Sequence, residues 1–426
     1  MQISRRKMVV LGGAVALCPS GTNAWTTQSV PTASVLLRTE GRYLPRWIEL
    51  LDEAGERRRV AGWLGSEQAD KIDGVIRDGK SQYAAFLGDE STALAQAGFS
   101  SLEADDELVA TDAVEAIVEA SRGHRVVMLN EAHVASRHRS FLGRLIRALH
   151  GEGFTHLAAE TFNPSVAELK KGDQLSPQHG WYILDPAFAE AVREALELGW
   201  SLAAYEQRED QRSAAPGLSD TATLVREQAQ ADNFGALLRA EPDARFLVFV
   251  GYGHLQESGP PFAARFKHDT GIDPLTVGQS GVGSFGPHAP DTPAVQTLLE
   301  RIRPTVPVVL LKQGQSPRSA ESEEDLTAEG ADLIVLHPAL PDVERRPGWL
   351  AADGARRRLV VEVPPGAGPR LLQAVHKADV DPAIPADQLL IPDAGGACTL
   401  WVRPGIYKLR LETSVGFAPM GELSVA

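Results

Sequence analysis

The chain contains few cysteines and carries a net negative charge, and each of these properties argues against a class of protein. Its 426 residues include two cysteines, too few for a disulfide framework to hold the fold. The formal net charge at pH 7 is −14 and no basic stripe occurs, which argues against a nucleic-acid-binding protein. Hydrophobic residues make up 43% of the chain and charged residues 23%, which are ordinary proportions for a globular protein of two or three domains.

The apolar run nearest the N-terminus is short. It extends from Met8 to Cys18 and cannot span a bilayer stably. It follows Ser4-Arg5-Arg6 and precedes small residues up to Ala24, which is the order of parts in a signal peptide. We therefore predict that residues 1–24 are an export signal, of the twin-arginine or the Sec type, and that the mature protein is periplasmic or secreted with no stable membrane span. Cys398 would then be the one mature cysteine, a small buried hydrophobe.

The remaining chain divides into three parts by pattern. Helical periodicity with many charges over residues 34–110 predicts a helical N-terminal layer without a chemical motif. Over 111–340, helical segments alternate with short β-branched runs, which indicates an α/β domain with a mostly parallel, doubly wound sheet. Over 345–426, short β-type runs separated by Pro and Gly predict a small β-rich C-terminal domain, with one helix expected over 370–378.

Acids and histidines follow four predicted strands at the points where the strands end. Glu131 and His133 follow the strand predicted over Val126 to Leu129, and Glu160 follows the one over Leu157 to Ala159. Glu206 follows the strand predicted over Leu202 to Tyr205, and His254 follows the one over Phe246 to Val250. If these strands are parallel neighbours, the side chains converge at the carboxyl edge of one sheet, where sites in such folds are built.

Glutamate and histidine are the residues that metal binding and general acid–base catalysis require. A single acid after a strand is more often a helix cap or a solvated loop residue, but four in succession favour a shared site. We predict Glu131, His133, Glu160 and His254 as catalytic residues. If a divalent metal such as Zn or Mn is bound, the predicted ligands are Glu131, His133 and His254.

A second group of residues is predicted to contact the substrate. Arg137 and Arg139 open a helix, where positive charge opposes the helix dipole unless an anion, a substrate carbonyl or a site glutamate offsets it. Arg226 and Asn233 share one face of the predicted helix over 221–240. The predicted substrate-binding residues are Arg137, Arg139, Glu206, Arg226 and Asn233, and a solvated face is the alternative for the first two.

The run LNEAHVASRHRSFLGRLIRALHGEGFTHLAAE resembles the motif of the superfamily that joins erythromycin esterases, ChaN-like haem-binding proteins and Tiki/TraB proteases. In that motif a strand ends in Gly-Glu-x-His or Gly-Glu-x-x-His, a helix follows, and a second strand ends in Glu. Glu131, His133 and Glu160 take these positions here, with Asn130 in place of the glycine. Arg226, Asn233 and His254 resemble the Arg…Asn helix and the late histidine of the family, so the resemblance covers about 120–260.

The resemblance implies two functions that the residues alone leave open. The first is a hydrolase for an ester or amide of a small molecule or peptide, either metal-free or metal-assisted. In it His133 is the base, Glu131 and Glu160 orient it, Arg137 or Arg139 stabilises the oxyanion, and His254 is an acid or second ligand. The second is a non-catalytic ChaN-like protein for haem or iron, although no haem ligand set can be matched residue by residue. A third possibility is an inactive scaffold whose C-terminal β domain binds the partner.

Overall fold

The computed structural model describes residues 41–64, 69–95, 108–212, 220–280, 293–314, 316–317, 331–391 and 393–426. The predicted export signal, residues 1–24, lies outside these ranges. Within them, no helix combines the length and the apolar character needed to cross a bilayer.

The N-terminal layer is helical, as predicted. Its helices are α1 (Leu44–Leu51), α2 (Glu53–Leu64), α3 (Ala69–Phe86) and α4 (Glu90–Leu94). Leu44, Trp47 and Leu50 repeat every three residues and are buried in the main core of the protein, because this spacing places them on one face of α1. Asp89 ends the preceding turn and accepts a hydrogen bond from the backbone N–H of Thr92, which caps α4.

One strand overlaps the end of the segment predicted to be helical, 34–110. Residues Leu108–Asp112 form β1, which pairs antiparallel with β7 (Val308–Lys312) at the edge of the central sheet. Val109 and Ala110 are exposed, so this five-residue strand lacks the alternation of buried and exposed residues that indicates a half-buried strand. Pairing with β7, a contact distant in sequence, decides its conformation. Asp112 then caps α5 (Ala113–Ser121).

The central sheet is mostly parallel, which confirms the predicted fold class. In the described part of the chain its strand order is β1-β7-β8-β6-β2-β5-β3-β4. Neighbours from β8 to β4 pair in parallel, whereas β7 is antiparallel to both of its neighbours. The strands not yet given are β2 (Val126–Glu131), β3 (His156–Ala159), β4 (Ser201–Ala204), β5 (Phe246–Gly251), β6 (Leu275–Gly278) and β8 (Leu333–Leu336).

The sheet is covered on both faces, which explains why its central strands read as unbroken apolar runs. Val127 and Leu129 of β2 face a core that also contains Phe141, whereas Val126 and Met128 face a second core that contains Phe234. The helices on the two faces are α6 (Ser136–His150), α7 (Pro186–Glu197), α8 (Asp220–Ala240), α9 (Phe262–Thr270) and α10 (Pro293–Ile302). Because successive strand residues point to opposite faces, β2 contributes to both cores at once.

The C-terminal part is β-rich and antiparallel. After the short helix α11 (Gly348–Ala352), the strands are β9 (Arg357–Val363), β10 (Arg370–His376), β11 (Asp387–Ile391), β12 (Gly396–Val402), β13 (Gly405–Thr413) and β14 (Gly416–Val425). They form one sheet in the order β11-β10-β13-β14 and a pair, β12-β9. Cys398 in β12 is buried, as predicted.

The helix expected over 370–378 is wrong. Residues Arg370–His376 are β10, which pairs with both β11 and β13. Every residue from Arg370 to Val375 is buried, so the strand does not alternate. Leu371, Ala374 and Val375 therefore fall at helical spacing by coincidence, and the pairing of two neighbouring strands decides the outcome.

Candidate functional site

The four strands that end on acids or histidines are neighbours in the sheet. They lie in the order β2-β5-β3-β4 and all run in the same direction. In this register Glu131 of β2 lies beside Gly251 of β5, and Ala159 of β3 lies between Phe249 and Ala204. Glu160 and Glu206 follow at the same edge. The structure thus brings the predicted residues together at the carboxyl ends of the strands.

His133 is held by Glu131 and Tyr182. Its Nδ1 lies 2.9 Å from Glu131 Oε1, and its ring stacks on Tyr182 with centroids 4.8 Å apart and planes 12° from parallel. Glu131 and His133 are 1% and 5% exposed, so the pair is nearly closed off from water. A carboxylate at Nδ1 orients the imidazole and leaves Nε2 as the nitrogen that can exchange a proton with a ligand.

Glu131 is in turn held by Arg139, which has no exposed side-chain surface. Arg139 donates to both Glu131 oxygens, over 2.6 and 2.9 Å, and to Asp185 Oδ2 over 2.7 Å. Its guanidinium also lies over the Tyr182 ring, 4.6 Å from the centroid. Burial favours the neutral acid, but the Arg139 charge and the contact with His133 outweigh it and lower the pKa of Glu131. Glu131 is therefore an ionised acceptor behind His133.

The Nε2 edge of His133 faces Glu160 across Gly251. A Cβ added to Gly251 would lie 2.9 Å from His133 Nε2 and 2.8 Å from Glu160 Oε2. The φ of Gly251 is −69°, so glycine is required here by the close approach of these side chains rather than by an unusual backbone conformation. The same residue donates its backbone N–H to Glu160 Oε2 over 2.6 Å.

Glu160 belongs to a second ionic cluster, built around Arg226 of α8. One Arg226 nitrogen, Nη2, donates to Glu160 Oε1 over 2.7 Å and to Glu206 Oε2 over 2.6 Å. Nε of Arg226 donates to the other Glu206 oxygen over 3.0 Å. Arg226 thus ties the ends of β3 and β4 together. This agrees with its predicted place near the site and shows that it contacts the site acids directly.

His254 lies between two carboxylates. Its Nε2 is 3.4 Å from Glu160 Oε1, and its Nδ1 is 2.7 Å from Glu227 Oε1. Burial disfavours the charged ring, but Glu227 and then Glu160 outweigh this and raise the pKa of His254 to about 10. His254 is therefore an imidazolium at neutral pH. In return, although burial opposes it, the charges of His254 and Arg226 hold the pKa of Glu160 well below its usual range.

The charge on His254 makes the stability of the protein depend on pH. Its pKa in the folded state lies above the usual value, so the stabilisation is full below about pH 6.5 and is lost as the pH rises through about 10. We expect the melting temperature to fall over this interval. In Glu227→Gln the largest source of the shift is removed, so the fall should be clearly shallower. Thermal melts of both proteins at several pH values measure this.

Glu209→Gln is the matched control, because Glu209 is exposed. It should keep the wild-type dependence on pH. Equal slopes in Glu227→Gln and the wild type would contradict the assignment of a charged His254 between two carboxylates.

Three of the predicted substrate-binding residues have other partners. Arg139 is buried between Glu131 and Asp185, so its role is to hold Glu131 in position. Arg137 points to Glu90, with its Nε 3.6 Å from Glu90 Oε1. Asn233 donates to the backbone oxygens of Tyr205 and Glu206, over 3.2 and 3.0 Å, and holds the loop after β4. All three lie near the strand ends, where the recorded contacts of their side chains are with other protein groups.

The predicted metal ligands do not fit a metal ion. Among the described residues, no group of three or more His, Cys, Asp or Glu side chains is arranged to hold one. Both oxygens of Glu131 accept hydrogen bonds from Arg139, and both nitrogens of His254 lie against carboxylates of Glu160 and Glu227.

The sequence pattern missed three members of the site. Asp185 precedes Pro186 and caps α7 through the N–H of Ala187, but it also holds Arg139. Glu227 follows Arg226 in a polar helix, where the sequence pattern does not distinguish a buried acid from a solvated one. Tyr182 lies in a segment without periodicity. No signal in the sequence marks these three, because their contacts are distant along the chain.

Comparison with known proteins yields distant structural likenesses only. No protein-family model matches the chain, and no curated protein matches it in sequence. Among solved structures, the haem-bound ChaN of Campylobacter jejuni is 9% identical, covering 56% of this chain and 99% of its own, with a TM-score of 0.34. The type III effector HopBA1 is 15% identical, with coverages of 44% and 94% and a TM-score of 0.30. The C-terminal region of Pasteurella multocida toxin is 11% identical, with coverages of 83% and 54% and a TM-score of 0.31.

Likenesses at this level carry no argument about what this chain does. The resemblance to erythromycin esterases and Tiki/TraB proteases stays a prediction from the sequence. The function is therefore inferred from the side chains at the sheet edge.

Proposed function

We propose that the protein is an exported hydrolase that cleaves an ester or amide by metal-free acid–base chemistry at the edge of its central sheet. The observation that carries the proposal is the buried Glu131–His133 pair, in which Glu131 holds Nδ1 and the Nε2 edge of the ring lies beside Glu160 and Gly251. A carboxylate that orients an imidazole through one nitrogen, so that the other nitrogen is directed at the site, is the arrangement of a general base.

His133 acts on water. Nε2 takes a proton from a water molecule as the water oxygen bonds to the carbonyl carbon, and the carbonyl electron pair moves onto the carbonyl oxygen. The tetrahedral intermediate then collapses, the bond to the leaving group breaks, and the leaving oxygen or nitrogen takes the proton from Nε2. Glu131 stabilises the imidazolium that exists between these two steps, since it accepts at Nδ1 and is already ionised.

Arg226 and His254 supply the positive charge that the oxyanion needs. Arg226 Nη1 lies 3.4 Å from His254 Nε2, so two cationic donors meet beside Glu160. An oxyanion beside them accepts a hydrogen bond from Arg226 Nη1 and is attracted by the charge of His254, and both interactions grow stronger as negative charge develops in the transition state. These two residues thus take the role that the sequence suggested for Arg137 or Arg139.

Glu160, Glu206 and Glu227 keep this positive charge in place. Each lies within an ion-pair distance of Arg226 or His254. Without them, a buried guanidinium and a buried imidazolium at 3.4 Å would repel strongly. We assign the three acids as positioning residues, with Glu160 nearest to the reacting atoms.

The test is a screen of the purified mature protein against p-nitrophenyl esters of increasing chain length and against fluorogenic peptide amides. We expect turnover of at least one class, unaffected by EDTA. No turnover in any class, together with a haemin Soret band that disappears in His133→Ala, would overturn the proposal in favour of a haem-binding protein.

A further inference from the structure

A cleft beside α6 is lined by residues outside the His133 site. It lies between α6, the segment 305–307, the segment 337–340 and α11. Its lining includes Arg137, Ser140 and Arg144 of α6 together with His337. These three α6 residues are spaced by three and four, so one face of the helix supplies them.

The cleft carries more positive than negative charge, although the chain as a whole has a net charge of −14. Arg137 and Arg144 both line it, and the acid at its rim is Asp353. The Asp353 carboxylate is engaged elsewhere, 3.1 Å from Arg356 and 3.9 Å from Arg147. Glu90 forms an ion pair with Arg137, with Glu90 Oε1 3.6 Å from Arg137 Nε.

Arg144 differs from the other arginines of α6. Arg139 and Arg147 form ion pairs at 2.6 and 3.0 Å. In the part of the chain that the structure describes, the recorded contact of the Arg144 guanidinium is with the Phe141 ring, 6.0 Å from its centroid. Its five donors are therefore available to the cleft, and a planar guanidinium matches the two oxygens of a carboxylate or phosphate group.

The charges of Arg137 and Arg144 both affect the pKa of His337, which lines the same cleft. Burial, and then the charges of Arg137 and Arg144, hold the pKa of its imidazole well below the usual range. Its Nε2 lies 3.0 Å from Gln279 Oε1, so the neutral ring donates there and keeps its other nitrogen unprotonated. The cleft thus holds two guanidinium groups beside a neutral imidazole.

We propose that this cleft binds a small oxyanion, a phosphate or carboxylate group, through Arg144 and Arg137. An anion there gives Arg144 the partner that Arg139 and Arg147 already have, and it lies against Arg137 as well. The proposal is independent of the hydrolase assignment, because none of the residues used belongs to the His133 site.

Inorganic phosphate is the probe. Calorimetric titration and thermal melts in phosphate are compared with melts in sodium chloride of equal ionic strength. We expect saturable binding and a rise in melting temperature specific to phosphate, with binding about tenfold weaker in Arg144→Gln, the loss of one charge-assisted contact. A parallel titration with acetate distinguishes a carboxylate from a phosphate.

Arg147→Gln is the matched control, since Arg147 lies on the same helix but is paired with Glu194. It should bind phosphate as the wild type does. Absence of saturable binding, or equal loss in Arg144→Gln and Arg147→Gln, would overturn the proposal.

Discussion

Replacing His133 by alanine is expected to lower kcat/KM on the best substrate by about 10²- to 10⁴-fold, the usual contribution of a general base. The ring whose Nε2 faces Glu160 and Gly251 is removed, so no group remains to take the proton from water. The protein should stay folded, because the core clusters on both faces of the sheet do not include His133. Initial rates and far-UV circular dichroism measure the two effects separately.

The matched control is His268→Ala. The His268 side chain is 87% exposed and pairs with Asp269 at the surface, away from the sheet edge. It should keep wild-type turnover. Wild-type turnover in His133→Ala would remove the base from the mechanism.

Replacing Gly251 by alanine is expected to lower turnover by about 10²-fold, although one methyl group is added and no functional group is lost. The new Cβ would lie 2.8 Å from both Glu160 Oε2 and His133 Cε1, distances that require movement. Neither side chain can move freely, because Glu160 is tied to Arg226 and His133 to Glu131. We also expect a loss of about 1–3 kcal/mol in the free energy of unfolding from overpacking.

Gly253→Ala is the control for this substitution. No atom lies within 4 Å of a Cβ added at Gly253, two residues further along the same turn. Both its turnover and its stability should stay close to wild type, within about 0.5 kcal/mol for the latter. Equal effects of the two substitutions would show that the turn tolerates no side chain for reasons unrelated to His133 and Glu160.

The sheet edge could be predicted because buried parallel strands can be recognised from the local sequence alone. The runs that became β2, β3, β4 and β5 are short and mostly apolar, and each has an acid or a histidine at its end or within three residues of it. Adjacency of these four strands was then enough to bring Glu131, Glu160, Glu206 and His254 to one place.

The division of roles could not be predicted, because it depends on contacts between distant residues. Arg139 and Arg226 look alike as arginines on polar helix faces. One is buried behind Glu131, whereas the other joins Glu160 to Glu206 at the edge. The same limit applies to His254, whose raised pKa arises from Glu227 on another element. The charge state of a site residue is a property of its partners, and the sequence pattern does not contain them.

The edge strand β1 shows the corresponding limit for the fold. LVATD has no periodicity, and its conformation follows from β7, nearly two hundred residues away. Local pattern predicts buried central strands well and exposed edge strands poorly, because burial on two faces is what makes a strand apolar.

The central claim is that Glu131 and His133 act as one unit in the chemical step. A double-mutant cycle on the best substrate tests it most directly, with kcat/KM measured for Glu131→Gln, His133→Ala and the double variant. We expect Glu131→Gln to be strongly impaired, and we expect its addition to His133→Ala to slow the reaction no further. Losses that multiply in the double variant would contradict it, because they would show two residues that act independently.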